Sequence, residues 1–369
     1  MAYLPFSYVN KLKTKCYICK LKVNIMLNKL KLNLRRAFAA SVKQKIKRTL
    51  IHLDIAPLQM VCLDASTICQ LKCPACFMRQ DNYGALGKGY LKFENFKKFI
   101  DKNTFIKHIE LSRNGEIFLN PDLLEIIEYA YQKDVIVSSS TGVNFNTISE
   151  EMIEALVKYK FYAMTFSIDG GTEEVYNKYR VNGDFNKVIE NIKKLQHYKA
   201  KYNSKYPLLT WQYIIMNGND SENDIKNVKK IANELNINLF FKFTYETDYK
   251  PDNPEMIERE TGLKYWQDNE TFSTWNPTVY TDYGVPCHHL WYKPQINYDG
   301  RLLGCCIVYK DDFGVNVFEV GLKKALKSKN FMYAKKMLMG KVPPPKDKSH
   351  IPCATCEYYH NMLTTKEFI

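Results

Sequence analysis

Three cysteines fall within eight residues, as Cys69-Gln-Leu-Lys-Cys73-Pro-Ala-Cys76. Thiolates suit soft metals and are the usual ligands of iron–sulfur clusters. Three thiols on one loop can hold three irons of a cubane. The fourth iron then has no protein ligand and is open to a small molecule. Two other readings compete: a zinc site, which usually takes four ligands from paired units, and three thiols packed in a core. Three core thiols so close together on one loop would be unusual, so the cluster is the expectation.

Four more cysteines form a second pattern. Cys287 and Cys305 are followed by Cys353-Ala-Thr-Cys356. Between the first two, Gln295–Leu303 reads as a hairpin with an Asp299-Gly300 turn, which would carry Cys305 back beside Cys287. Four thiolates fit a zinc site as well as an iron–sulfur cluster. His288, His289 and His350 read as neighbours of these cysteines rather than as ligands. Cys16, Cys19, Cys62 and Cys306 fall outside both patterns. With 11 cysteines and no sign of secretion, metal binding is a better reading than a disulfide framework.

The elements that must position these loops can be traced along the chain. Six strands are expected at 59–65, 107–112, 135–140, 162–168, 209–216 and 238–244. Helices are expected between them at 93–102, 121–133, 149–159, 172–199 and 221–235. The alternation implies a parallel α/β architecture. Such folds bind ligands beyond the carboxyl ends of their strands, where the first cysteine loop would lie. The rhythm is lost over 245–286, which reads as a connecting segment or lid. Residues 287–369 read as a small metal-stapled domain, and 54–244 as the core.

Charge is uneven. Residues 1–53 hold 13 lysines and arginines and no acid, leaving 40 bases against 39 acids in the rest of the chain. The net charge of +14 therefore belongs to this basic arm. Leu27, Leu30, Leu34, Phe38, Val42, Ile46 and Leu50 recur at helical spacing, giving an amphipathic arm. Such an arm can lie on an anionic membrane surface, bind nucleic acid without specificity, or be a solvated extension. No specific nucleic-acid partner is expected. No apolar run is long enough to span a membrane, and the first residues lack a secretory signal, so a cytoplasmic location is expected, with peripheral contact at the inner membrane face through the arm.

In the order of its motifs the chain resembles the radical S-adenosylmethionine (radical SAM) superfamily. The three-cysteine loop follows strand 1, where that family places it. Ser112-Arg-Asn114-Gly115-Glu116-Ile117 resembles the family's GGEP motif, with Asn114 for the first Gly and Ile117 for the Pro. Ser139–Gly142, Ser167-Ile-Asp169-Gly170 and Tyr176–Arg180 follow in register with later family motifs. Gln212 and Asn219 flank the end of strand 5. Ala75 is smaller than the residue usual before the third cysteine. Arg180 by itself reads as a helix-surface cation. The C-terminal pattern resembles a SPASM or twitch auxiliary-cluster domain, whose Gly-to-Cys spacing favours Cys305 over Cys306.

The resemblance implies a partial (β/α)6 TIM-type barrel with a small C-terminal SPASM/twitch-like domain. It implies a SAM-binding 4Fe–4S cluster on Cys69, Cys73 and Cys76, and a second, auxiliary 4Fe–4S cluster on Cys287, Cys305, Cys353 and Cys356. SAM would contact Asn114, Gly115, Glu116, Ser167, Asp169, Gln212 and Asn219. A one-electron reductant such as flavodoxin or ferredoxin would drive cleavage of SAM to a 5′-deoxyadenosyl radical, which takes hydrogen from an unactivated carbon. A single auxiliary cluster resembles the layout of 2-deoxy-scyllo-inosamine dehydrogenase. That layout points to a small-molecule substrate, a sugar or small alcohol, undergoing oxidation. A peptide-modifying maturase and a non-catalytic iron–sulfur protein are the alternatives.

Overall fold

A computed structural model describes residues 42, 45–47, 49–51, 53, 57, 58, 60–80, 84–244, 247–264, 287–305, 311–366, 368 and 369. The chain divides into two compact units, 1–56 with 277–286 and 57–276 with 287–369. In the first, the described residues 45–47 and 49–51 are helical, and Val42 and Ile46 of the expected apolar face are exposed. The remainder of the basic arm, with Cys16 and Cys19, lies outside the described residues, as does Cys306. No helix among the described residues is long and apolar enough to cross a membrane.

The second unit is an α/β fold, an unclosed partial barrel. Its strands are β1 (Val61–Leu63), β2 (His108–Glu110), β3 (Ile136–Val143), β4 (Ala163–Ser167), β5 (Leu208–Ile215), β6 (Asn238–Phe243) and β7 (Gln295–Ile296). They pair in the order β6-β5-β4-β3-β2-β1-β7, all parallel. The helices between them are α1 (Phe93–Lys102), α2 (Leu123–Gln132), α3 (Glu150–Lys158), α4 (Glu173–Tyr179), α5 (Phe185–Lys201) and α6 (Glu222–Glu234). Four of them start on side-chain caps. Ser149, Thr172, Asp184 and Ser221 accept from the backbone N–H three residues on, at 3.1, 3.2, 2.8 and 3.2 Å. Each satisfies a donor that has no partner inside its helix.

All six expected strands form. The helix expected over 172–199 is two helices. Between them Asn182 takes φ 68° and Asp184 caps the second. A Cβ on Gly183 would meet Tyr176 at 2.6 Å and the Arg180 carbonyl at 2.8 Å, so a larger residue could not make this bend. The break sets Arg180 at the end of α4 instead of on a helix surface.

The connecting segment contains α7 (Pro254–Thr261), with Asn253 as its cap and Gly262 at φ 75° closing it. Residues 265–286 lie outside the described residues. The expected hairpin forms, with Ile296 bridging Leu302 and Gly300 turning at φ 93°. Its first arm also joins the sheet as the seventh strand, which was not expected: Cys62 pairs with Gln295 and Leu63 with Ile296. Asn297 and Arg301 both donate to the Leu86 carbonyl, at 2.9 and 2.8 Å. Beyond lie α8 (Lys329–Leu338) and α9 (Glu357–Thr365).

Asp64, just past β1, ties three segments together. Its carboxylate accepts from the backbone and side-chain amides of Asn114 at 3.0 and 2.9 Å, and from Gln295 at 2.7 Å. Burial raises its pKa to about 7, against the lowering effect of those hydrogen bonds. An aspartate in the unfolded chain loses its proton near pH ~3.9. The folded state therefore keeps a proton that the unfolded state has released. The stability this gives is complete below the unfolded value and is lost as pH rises towards 7. Asp64→Asn, neutral throughout, should gain on the wild type by about 2–4 kcal/mol across that window and hold a constant difference above it. Urea unfolding of the metal-free chain at stepped pH measures this; parallel wild-type and variant curves would refute it.

Candidate active site

The three-cysteine loop leaves the carboxyl end of β1 and meets the turn after β2 backbone to backbone. Gly115 sits at φ 60°, and a Cβ there would lie 2.7–2.8 Å from the backbones of Ser66, Thr67 and Ile68. Only glycine allows both the dihedral and the approach. The next residue fixes the crossing: the Glu116 N–H donates to the Ile68 carbonyl at 2.8 Å. The two departures from the family motif are explained locally. Asn114 uses its side chain to grip Asp64, and Ile117 is fully buried at the start of a short 3-10 turn.

Glu116 is buried, and its carboxylate accepts from the Asn144 N–H at 2.6 Å. Burial raises its pKa to about 7, while backbone donors and Arg180 favour the charged form. Asn144 also donates to Cys69 Sγ at 3.6 Å and takes a hydrogen bond from Gln70 at 2.9 Å. The segment after β3 therefore braces both the acid and the first thiol.

Arg180 is the main correction to the sequence reading. Its side chain is only 13% exposed and forms a buried pair with Asp169, which is fully buried. Nε and Nη2 lie 2.6 and 2.5 Å from Asp169 Oδ2, and Nη1 lies 3.7 Å from Cys73 Sγ. The other Asp169 oxygen accepts from the Ile214 N–H at 2.8 Å. Lys72 donates to the Val181 carbonyl, tying the cysteine loop to the helix break. Asp169 thus orients the guanidinium that lies against the second thiol. The sequence offered a signal in the Asn182-Gly183-Asp184 turn, which ends the helix just after Arg180.

Of the other expected SAM contacts, Ser167 and Gln212 are register partners on adjacent strands. Gly142 is close to both, its missing Cβ lying 2.3 Å from Ser167 Oγ and 4.0 Å from Gln212 Nε2. Asn219 spends its side chain on the turn after β5, donating to the Asp169 and Ile214 carbonyls and accepting from the Met216 N–H.

The thiols are buried or half-buried and lie close enough to influence one another. Burial, with Glu116 adding to it, pushes Cys69 up to about 12. Burial also raises Cys73, with Arg180 opposing. Cys76 packs against Met78, Leu86 and Leu303. In the C-terminal segment Cys353 is buried and pushed up to about 12 by burial, with Cys356 beside it contributing. Cys287 and Cys305 flank β7 and its hairpin. Thiols held this way stay protonated until a metal replaces the proton.

Among the described residues, Asp311, Asp312 and His350 alone bring three metal-type ligand atoms within 4.8 Å of one another. The two cysteine sets offer only sulfur, a donor set of the kind iron–sulfur clusters take.

Fold and site together define an α/β protein with a parallel half-barrel and a three-thiol loop after its first strand. Residues 64–232 match the Radical SAM superfamily, so the chain contains a radical SAM domain. It is 26% identical over 270 residues to the cysteine-type anaerobic sulfatase-maturating enzyme of Clostridium novyi (strain NT), covering 69% of this chain and 64% of that one. It is 31% identical over 131 residues to the antilisterial bacteriocin subtilosin biosynthesis protein AlbA of Bacillus subtilis (strain 168), covering 34% and 28%. The chain thus spans less than two thirds of the length of either relative. Its fold resembles Streptococcus suis SuiB bound to S-adenosylmethionine, with TM-score 0.58, 15% identity and coverage of 84% and 72%. Cofactors of this family are a 4Fe–4S cluster and SAM, and its SPASM-type members carry auxiliary clusters.

Asp169→Asn leaves a buried guanidinium without its counter-charge and should cost about 3–5 kcal/mol in urea unfolding of the metal-free chain. Replacing both partners, Asp169→Leu with Arg180→Met, should recover part of that loss. An Asp169→Asn chain as stable as the wild type would show that the pair does not hold the site.

Proposed function

We propose that this radical SAM enzyme is a maturase that modifies a residue of a peptide or protein. Its carrying observation is the likeness to two proteins named for maturation and bacteriocin biosynthesis, joined to a site that has the three-thiol loop and buried acid such enzymes need. The SuiB fold is also known with a bound precursor peptide, and that form resembles this chain with TM-score 0.55. These relatives favour the peptide over a sugar or small alcohol, the substrate first expected from the single auxiliary site.

In this reading Cys69, Cys73 and Cys76 hold the SAM-binding cluster, and Cys287, Cys305, Cys353 and Cys356 hold the auxiliary one. When bound, the first cluster and SAM supply one-electron reductive cleavage and hydrogen abstraction from an unactivated carbon. The chain itself does the positioning. Glu116 would accept a hydrogen bond from the SAM amino group, a donor that would favour its charged form against the burial that holds its pKa at about 7. Arg180, aimed by Asp169, lies beside Cys73 and offsets the negative charge there. The apolar backing of Cys76 by Met78, Leu86 and Leu303 keeps water from that side. A small redox protein is the expected electron donor.

Anaerobic reconstitution with SAM and dithionite tests the reading. The wild type should hold roughly eight irons and form 5′-deoxyadenosine, while Cys76→Ala should hold roughly four and form none. A shift in mass of a candidate peptide, dependent on SAM, would establish the substrate class. Oxidation of an added sugar alcohol with no peptide modified would overturn it.

A further inference from the structure

The apolar side chains exposed on the second unit are not scattered. Of eight large ones among its described residues, six are Phe105, Tyr131, Ile136, Tyr162, Tyr202 and Leu208, each between 36 and 45% exposed. All six lie where a helix ends and the next strand begins: at the junctions of α1 with β2, α2 with β3, α3 with β4 and α5 with β5. Because the strands are parallel, these junctions share one end of the half-barrel, the amino end of its strands. The cysteine loop leaves β1 at the other end.

The six form a patch. The Tyr162 N–H donates to the Val137 carbonyl and the Leu208 N–H to the Tyr162 carbonyl, both at 2.9 Å, so Ile136, Tyr162 and Leu208 sit at the starts of three adjacent strands. Tyr162 packs on Tyr206 with ring centroids 5.7 Å apart and on His108 at 5.9 Å, and Tyr131 packs on Tyr159 at 5.9 Å. Ring contacts thus link all four junctions. Lysines are set among the rings. The five helix-to-strand junctions 101–108, 131–136, 158–163, 199–208 and 234–238 hold eight lysines and three acids. Beyond residue 53 the chain holds 40 bases and 39 acids, so positive charge is concentrated at this end. Lys133 and Lys201 pair with Asp101 and Glu154 at 3.0 and 2.8 Å. Lys158, Lys160 and Lys205 lie over the rings of Tyr159, Tyr131 and Tyr206 at 4.9, 5.7 and 5.1 Å.

This mixture selects among partners. A protein interface would use the tyrosines but is depleted in lysine. Single-stranded nucleic acid would stack its bases on open ring faces. Here lysine amines and neighbouring rings lie against the tyrosines, and bases have no use for Ile136 and Leu208. An anionic lipid surface uses all three kinds of group. Tyrosine rings settle at headgroup level, aliphatic tips enter the acyl boundary, and lysine stems cover apolar surface while their amines meet phosphate.

We propose that the amino end of the half-barrel is a docking face for an anionic phospholipid bilayer. Bound this way, the protein turns the carboxyl ends of its strands, and the cysteine loop with them, away from the lipid. The face does not depend on which substrate the enzyme modifies.

The test uses the full-length, cluster-loaded chain under anaerobic conditions with phosphatidylcholine vesicles, either pure or containing about 30% phosphatidylglycerol. A trace phospholipid with a diazirine in its acyl chain is photoactivated, and the adducts are mapped by mass spectrometry. Adducts should fall within 131–136, 158–163 and 199–208, at a yield at least about tenfold higher in the anionic vesicles. Lys160→Glu with Lys205→Glu, both at exposed positions, should cut that yield by about tenfold whatever residues 1–53 contribute. Adducts confined to residues 1–53 would assign lipid binding to the basic arm and overturn the proposal. Equal yields in the two kinds of vesicle, or an undiminished yield in the double variant, would overturn it as well. A single-stranded oligonucleotide that abolishes the adducts, and whose own binding is lost in the double variant, would give the face to nucleic acid instead.

Discussion

The site depends on one backbone crossing, the turn after β2 pressed against the loop after β1 at Gly115. Side chains cannot intervene there, so the distance between the buried acid and the first thiol is set by main chain. The Glu116 N–H and the Ile68 carbonyl lock the crossing, and Asp64 pins Asn114 one residue before it. Everything placed on those two loops takes its position from this contact. Deeper packing alone could not set it so closely, because apolar side chains can repack at small cost whereas a glycine-only approach cannot.

Around that crossing the inner face is organised by charge. A buried guanidinium is tolerable because Asp169 takes two of its donors, and Asp169 is in turn fixed by a β5 amide. The thiols stand in the same low-dielectric setting and stay neutral until metal arrives. Charge on this face comes in matched sets.

Much of this was legible from the sequence. Hydrophobic runs and alternation marked six strands, and the cysteine spacing marked both thiol sets. Less legible were features made by tertiary contact. The break at Asn182-Gly183-Asp184 lies inside a stretch whose apolar periodicity runs on, so Arg180 read as a surface cation. Asn114 and Ile117 read as departures from a motif, although one grips Asp64 and the other fills the core. The hairpin arm at Gln295–Ile296 was legible, but its pairing with β1 was not, because that contact spans most of the chain.

Gln295 reaches Asp64 across 231 positions of sequence. The strand that carries it is the last to join the sheet and pairs with the first. During synthesis, β1 and the turn after β2 leave the ribosome long before this partner does. The nascent core must wait with its edge uncovered and its carboxylate only partly satisfied. Contacts of such span close slowly, since the loop entropy is lost before the pairing repays it. The open edge of β1 is thereby covered only after the segment that carries Gln295 has been made.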